Sequence, residues 1–181
     1  MGLIDVDPDK YLPRNPTHGS LRIIDILHQH NYDGYMYAFH CWNLAPASGV
    51  TSYIQIDTPA ANGCAVFMTL NVIAGNYETL YQEGATISTA GTAIQIDNLN
   101  RRSSHVTTIK AYQASTVLTA GSVFGTRVTL CAATNQNKGI STATLVDRLL
   151  KPNTTYVFGI KPLAASTQWS RDCVIVDIGG V

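Results

Sequence analysis

Glu78 and Glu83 are the only glutamates in this 181-residue chain, and a pair of carboxyl groups is the machinery of glycoside hydrolysis. That chemistry requires both groups to face one cleft, one protonated and one ionised. The stretch that holds them reads as a loop, where solvated charge is the simpler account. Asp33, Asp57 and Asp97 lie close to Gly, Pro or Asn, positions that suit turn capping better than proton transfer.

His28 and His30 alternate in a stretch read as a strand, which sets both imidazoles on one face as half of a metal site. His40 stands across a turn at residues 31–34 and offers a third ligand. No Asp or Glu lies at matching spacing, and strand histidines on an open face need no metal. The expectation is no metal and no other cofactor. Cys41, Cys64, Cys131 and Cys173 are too far apart for a Cys-x-x-Cys centre and read as small buried hydrophobes. A serine nucleophile lacks its Gly-x-Ser-x-Gly or Ser-x-x-Lys setting, and no Gly-x-x-x-x-Gly-Lys phosphate loop occurs. The chain therefore reads as a non-enzyme. Tyr32, Tyr35 and Tyr37 cluster at one turn, a pattern that serves packing, protein interfaces or stacking on sugars.

Composition points the same way. Charged residues make up 13% of the chain, about half the usual share, with 12 basic and 12 acidic residues in balance. Nucleic-acid binding needs clustered Lys and Arg, and Arg101-Arg102 is the only adjacent basic pair. No apolar run approaches a membrane span, and the first residues lack the basic start and apolar stretch of a secretion signal. The reading is a chain made and kept in a soluble, reducing compartment, with neither nucleic acid nor membrane as partner.

These residues must be positioned by short β-prone runs between turn residues. Residues 1–19 carry Pro8, Pro13 and Pro16 and read as an extended N-terminal arm outside the core. Leu3, Ile4, Tyr11 and Leu12 give that arm apolar handles for a neighbouring subunit. Residues 20–181 read as one domain. Strands are expected over residues 21–30, 35–42, 51–57, 65–73, 92–97, 106–112, 123–132, 154–161 and 173–178. The clearest is the run at 155–161, where Tyr156, Phe158 and Ile160 share a face and Lys161 takes the other. Only residues 144–151 have helical spacing, ended by Pro152. The fold class is all-β, a single-domain sandwich of jelly-roll type.

Three segments in order resemble a family of tailed-bacteriophage virion proteins that decorate the capsid. They are Ile26-Leu-His-Gln-His30 with Tyr37-Ala-Phe-His40, then Leu80-Tyr-Gln-Glu-Gly84 through Gly91-Thr-Ala93 to Asn98-Leu-Asn-Arg101, then Leu150-Lys-Pro-Asn-Thr-Thr-Tyr156. The sequence departs from the pattern at Asn135-Gln-Asn-Lys-Gly139 and in its tail, Asp177-Ile-Gly-Gly180-Val. The resemblance implies a sandwich subunit on the outer capsid surface, commonly trimeric, made in the host bacterial cytoplasm and partnered by the major capsid protein and by itself. A carbohydrate- or receptor-binding module of a phage tail or baseplate is the alternative, and a hydrolase using Glu78 and Glu83 ranks third.

Overall fold

A computed structural model describes residues 26–43, 47–61, 63–73, 76–129, 140–163 and 168–178. The arm with Leu3, Ile4, Tyr11 and Leu12, Cys131 and the segment at 135–139 lie outside these. The described chain is an all-β sandwich with one helix. Helix α1 (Ile26–Asp33) leads into β1 (Met36–Asn43), β2 (Ser52–Asp57), β3 (Gly63–Ile73), β4 (Tyr77–Glu83), β5 (Thr86–Thr89), β6 (Thr92–Ile94) and β7 (Asp97–Asn98). The rest are β8 (Lys110–Gln113), β9 (Thr116–Thr119), β10 (Ser122–Thr129), β11 (Ile140–Leu150), β12 (Thr155–Pro162) and β13 (Gln168–Ile178).

One sheet has the order β11-β3-β13-β1-β7 and the other β10-β4-β12-β2-β8-β6, and all their pairings are antiparallel. Alternation along each strand builds the core between them. The first sheet contributes Tyr37, Phe39, Cys41, Val66, Met68, Leu70, Cys173 and Ile175, and the second Ile54, Ile56, Tyr77, Tyr81, Tyr156, Phe158 and Ile160. Tyr156, Phe158 and Ile160 thus share the inner face, as their spacing implies. Phe124 joins them edge-on, 5.9 Å from Tyr156 and 6.3 Å from Phe158 between ring centres.

Three expectations are corrected. Residues 26–30 are helical, not extended, and α1 runs on through the anticipated turn to Asp33. Its end is a Schellman motif: Tyr35 N–H bonds the His30 carbonyl at 2.9 Å, Gly34 N–H bonds that of Asn31 at 3.1 Å, and Gly34 has φ of +82°. Residues 144–150 belong to β11, which pairs with β3 from Ile140 opposite Ile73 to Leu150 opposite Cys64. Strand β3 is buried, so its backbone N–H and C=O groups need partners along both edges, and pairing with β11 as well as β13 overrides local helical spacing. Glu78 and Glu83 lie in strand β4 and not in a loop.

Strands β4, β5 and β6 and strands β8, β9 and β10 form one antiparallel ribbon. Glu83 faces Ser122, Thr86 faces Thr119, Thr89 faces Thr116 and Ile94 faces Ala111, pairs that keep one register from Glu83 to Ile94, and a bulge between Val123 and Gly125 shifts it by one residue along the rest of β4. At one end β4 borders β12, while at the other β8 borders β2. Since β12 and β2 are neighbours, the middle of the ribbon crosses over them on the side away from the core. The row beneath is accordingly buried: Gln82, Val157 and Gln55, adjacent on three strands, are each no more than 4% exposed. Ser115 donates to Gln55 Oε1 at 2.8 Å and receives the Gly91 N–H at 3.0 Å, fastening the crossing. Gly91 and Gly121 have no room for a side chain, because a Cβ would meet the carbonyls of Gln113 and Glu83 at 1.8 and 2.1 Å.

Candidate interaction surfaces

The crossing ribbon carries no charged residue over 84–96 or over 111–126. Its outer side chains are Thr, Ser and Ala with apolar additions, among them Leu118 at 69% and Val123 at 56% exposure. Exposed strands that stay monomeric carry Lys, other charges or proline to discourage pairing. The stretches 84–96 and 111–126 have none of these, and their surface suits packing against another protein.

Glu78 and Glu83 share no cleft. Five residues of extended chain span about 17 Å and put the two side chains on opposite faces of β4. Glu78 lies 3.8 Å from Lys161. Glu83 lies 2.5 Å from Lys151, and Tyr156 donates its hydroxyl to the other carboxylate oxygen at 3.3 Å. The Lys151 N–H bonds that same phenol at 2.9 Å, and Thr58 Oγ1 bonds the Lys151 carbonyl at 2.7 Å. Through these bonds the Leu80–Gly84 and Leu150–Tyr156 segments meet in one corner. Asn153 turns there with φ of +51°.

His28 and His30 lie on α1, so the strand geometry that would set them on one face does not apply. Among the described residues no three His, Cys, Asp or Glu are grouped to hold a metal. His40 instead sits on the outer face of β1. Its Nδ1 donates to Asp172 Oδ1 at 2.5 Å, Asn71 Nδ2 donates to Asp172 Oδ2 at 3.1 Å, and the His40 ring stacks on Trp42 at 5.4 Å. Trp42 is 57% exposed. The register makes this a flat patch of two rows on three strands, Trp42–Ser170–Asn71 and His40–Asp172–Thr69.

The tyrosine cluster divides. Tyr37 is in the core, while Tyr32 and Tyr35 are exposed, Tyr35 lying 4.6 Å from the ring of His105. Asn98 secures the facing loop by donating to the Gly34 carbonyl at 2.8 Å and the His105 carbonyl at 3.0 Å. Cys41, Cys64 and Cys173 are buried free thiols. Burial pushes the first two up to about 12 and raises the third as well.

Sequence reading missed Arg171, which is 0% exposed in the middle of the core. Its Nη1 lies 3.8 Å from Met68 Sδ, and its Nε and Nη2 have no hydrogen-bond acceptor. Burial lowers its pKa, opposed by the surrounding Tyr81, Cys41, Cys173 and Tyr77. Ser-Arg-Asp has the look of a solvated stretch, and only the alternation of β13 about Trp169 and Cys173 points Arg171 inward.

No protein-family model, curated protein or solved structure matches this chain. Among the described residues no helix is long and apolar enough to cross a membrane. The fold and its surfaces define an all-β sandwich with an exposed uncharged ribbon on one face and an aromatic–polar patch on another.

Proposed function

We propose that this chain is a structural virion protein that decorates a tailed-phage capsid and stabilises it by bridging neighbouring shell subunits. It acts as a homotrimer beside the major capsid protein on the outer capsid surface, without catalysis. The observation that carries the reading is the ribbon: exposed, free of charge over 84–96 and 111–126, and fastened down by the Ser115–Gln55 bond. A surface of this kind gains stability when covered by protein, and interface area that exists only in the assembled shell favours the assembled state by linkage. The resemblance of the Leu80–Arg101 and Leu150–Tyr156 segments to capsid-decorating proteins supports the same reading.

Charge placed on the ribbon tests it. Leu118→Glu with Val123→Lys is expected to leave the monomer folded, since both side chains are exposed, and to abolish co-sedimentation with capsids. Undiminished co-sedimentation of the double variant would remove the ribbon from the interface.

A further inference from the structure

We infer that the outer face of the first sheet holds a binding site for a neutral saccharide, with Trp42 as its stacking platform and His40, Asp172 and Asn71 as its hydrogen-bonding edge. The site lies on a different sheet from the ribbon and rests on no part of the capsid reading. A pyranose ring has one face of C–H groups and a rim of hydroxyls. It is recognised by an open aromatic ring next to fixed, planar polar groups. Each element is in place here.

The Trp42 indole is open to solvent yet held by its stack on His40, so little freedom is lost when a ring lies on it. Beside it Asp172 is fixed by two donors, one on each carboxylate oxygen, which leaves one lone pair per oxygen for sugar hydroxyls. The Nδ1–H bond to Asp172 also sets the tautomer of His40, so in the neutral ring Nε2 is an acceptor without a partner among the described residues. The approach is open, because β7 pairs only with Tyr37 and Ala38 and no described strand borders β1 on that side from Phe39 onward.

The surround selects the ligand class. Ser170, Asn71 and Thr69 frame the indole with hydroxyl and amide groups, the donors and acceptors that sugar hydroxyls pair with. The Asp172 carboxylate repels anionic sugars, and neither row of the patch carries a Lys or Arg to hold them. Neutral hexoses and N-acetylhexosamines are the chemistry that fits.

The chain has two tryptophans, and the other, Trp169, is 3% exposed, so a ligand on the patch is read through Trp42 alone. The test titrates the full chain with glucose, galactose, mannose, N-acetylglucosamine and their short oligomers, followed by calorimetry and tryptophan emission. We expect saturable binding to at least one neutral sugar with a blue shift of emission. Trp42→Ala is expected to abolish the binding and Asp172→Asn to weaken it roughly tenfold or more. Both positions are exposed, and unchanged far-ultraviolet circular dichroism confirms that the variants fold. No saturation by any of these sugars, binding that survives Trp42→Ala, or preference for a sialylated sugar over its neutral parent would each overturn the inference.

Discussion

Lys151 Nζ lies 2.5 Å from Glu83 Oε1, and this pair joins the start of the β12 turn to the end of β4. Lys151 is largely open to water, with its side chain 70% exposed against 30% for Glu83, so the ion pair itself adds little to stability. The buried member is Tyr156, at 2% exposure, whose phenol accepts from the Lys151 amide and donates to Glu83. Tyr156→Phe leaves that amide without its acceptor and is expected to cost about 1–2 kcal/mol. Lys151→Ala should barely move the urea midpoint. Midpoints in the reverse order would contradict this account of the corner.

Gly34 closes α1 in the left-handed region, and a Cβ there would meet Ser103 Oγ at 2.0 Å. Gly34→Ala is therefore expected to lose more than about 1 kcal/mol, from backbone strain together with the collision. Measured by chemical denaturation in a Ser103→Gly background, the same replacement should cost less, since only the backbone strain remains. Equal costs in the two backgrounds would show that Ser103 moves aside freely.

The fold was legible wherever one face of a strand is buried and the other is not. Tyr156, Phe158 and Ile160 announce β12, and the runs expected at 35–42 and 51–57 are β1 and β2 to within one residue. The α1 stretch misled because its described residues offer no amphipathic stripe; Gly34 was the available signal of a helix end. Strand β13 begins at Gln168, ahead of the expected 173, because Ser170, Arg171 and Asp172 hide its alternation behind polar side chains. The patch at His40 needed the register that sets His40 opposite Asp172, 132 residues away, which no local pattern carries. The ribbon crossing was out of reach for the same reason, since it is a property of which strands neighbour β12 and β2.

The buried thiols make stability fall in alkali. Cys41 and Cys64 ionise near 9 when unfolded and near 12 in the fold, so between these values the native state holds more protons than the unfolded state. Stability is complete below pH 9 and declines as pH rises through the window, by up to roughly 1.4 kcal/mol per unit for each thiol. Replacing both with Ala is expected to reduce the slope of unfolding free energy between pH 9 and 11, with buried Cys173 keeping its own share. A slope unchanged in the double variant would contradict this origin.

Arg171 is a buried cation with two unsatisfied donor nitrogens, an arrangement that costs stability unless a partner repays it. Arg171→Met, of similar reach and lying beside Met68, is expected to be neutral or to stabilise by up to about 3 kcal/mol in thermal unfolding. A large loss instead would mean that the guanidinium holds the core together.

The central claim is a place on the capsid, and the most direct measurement is the copy number of this protein in gradient-purified virions relative to the major capsid protein. The account predicts a number comparable with that of the shell subunit, as a lattice-wide decoration requires. Absence from purified particles would contradict it, and a few copies per particle would move the protein to a tail or baseplate, where the Trp42 patch and not the ribbon would carry its function.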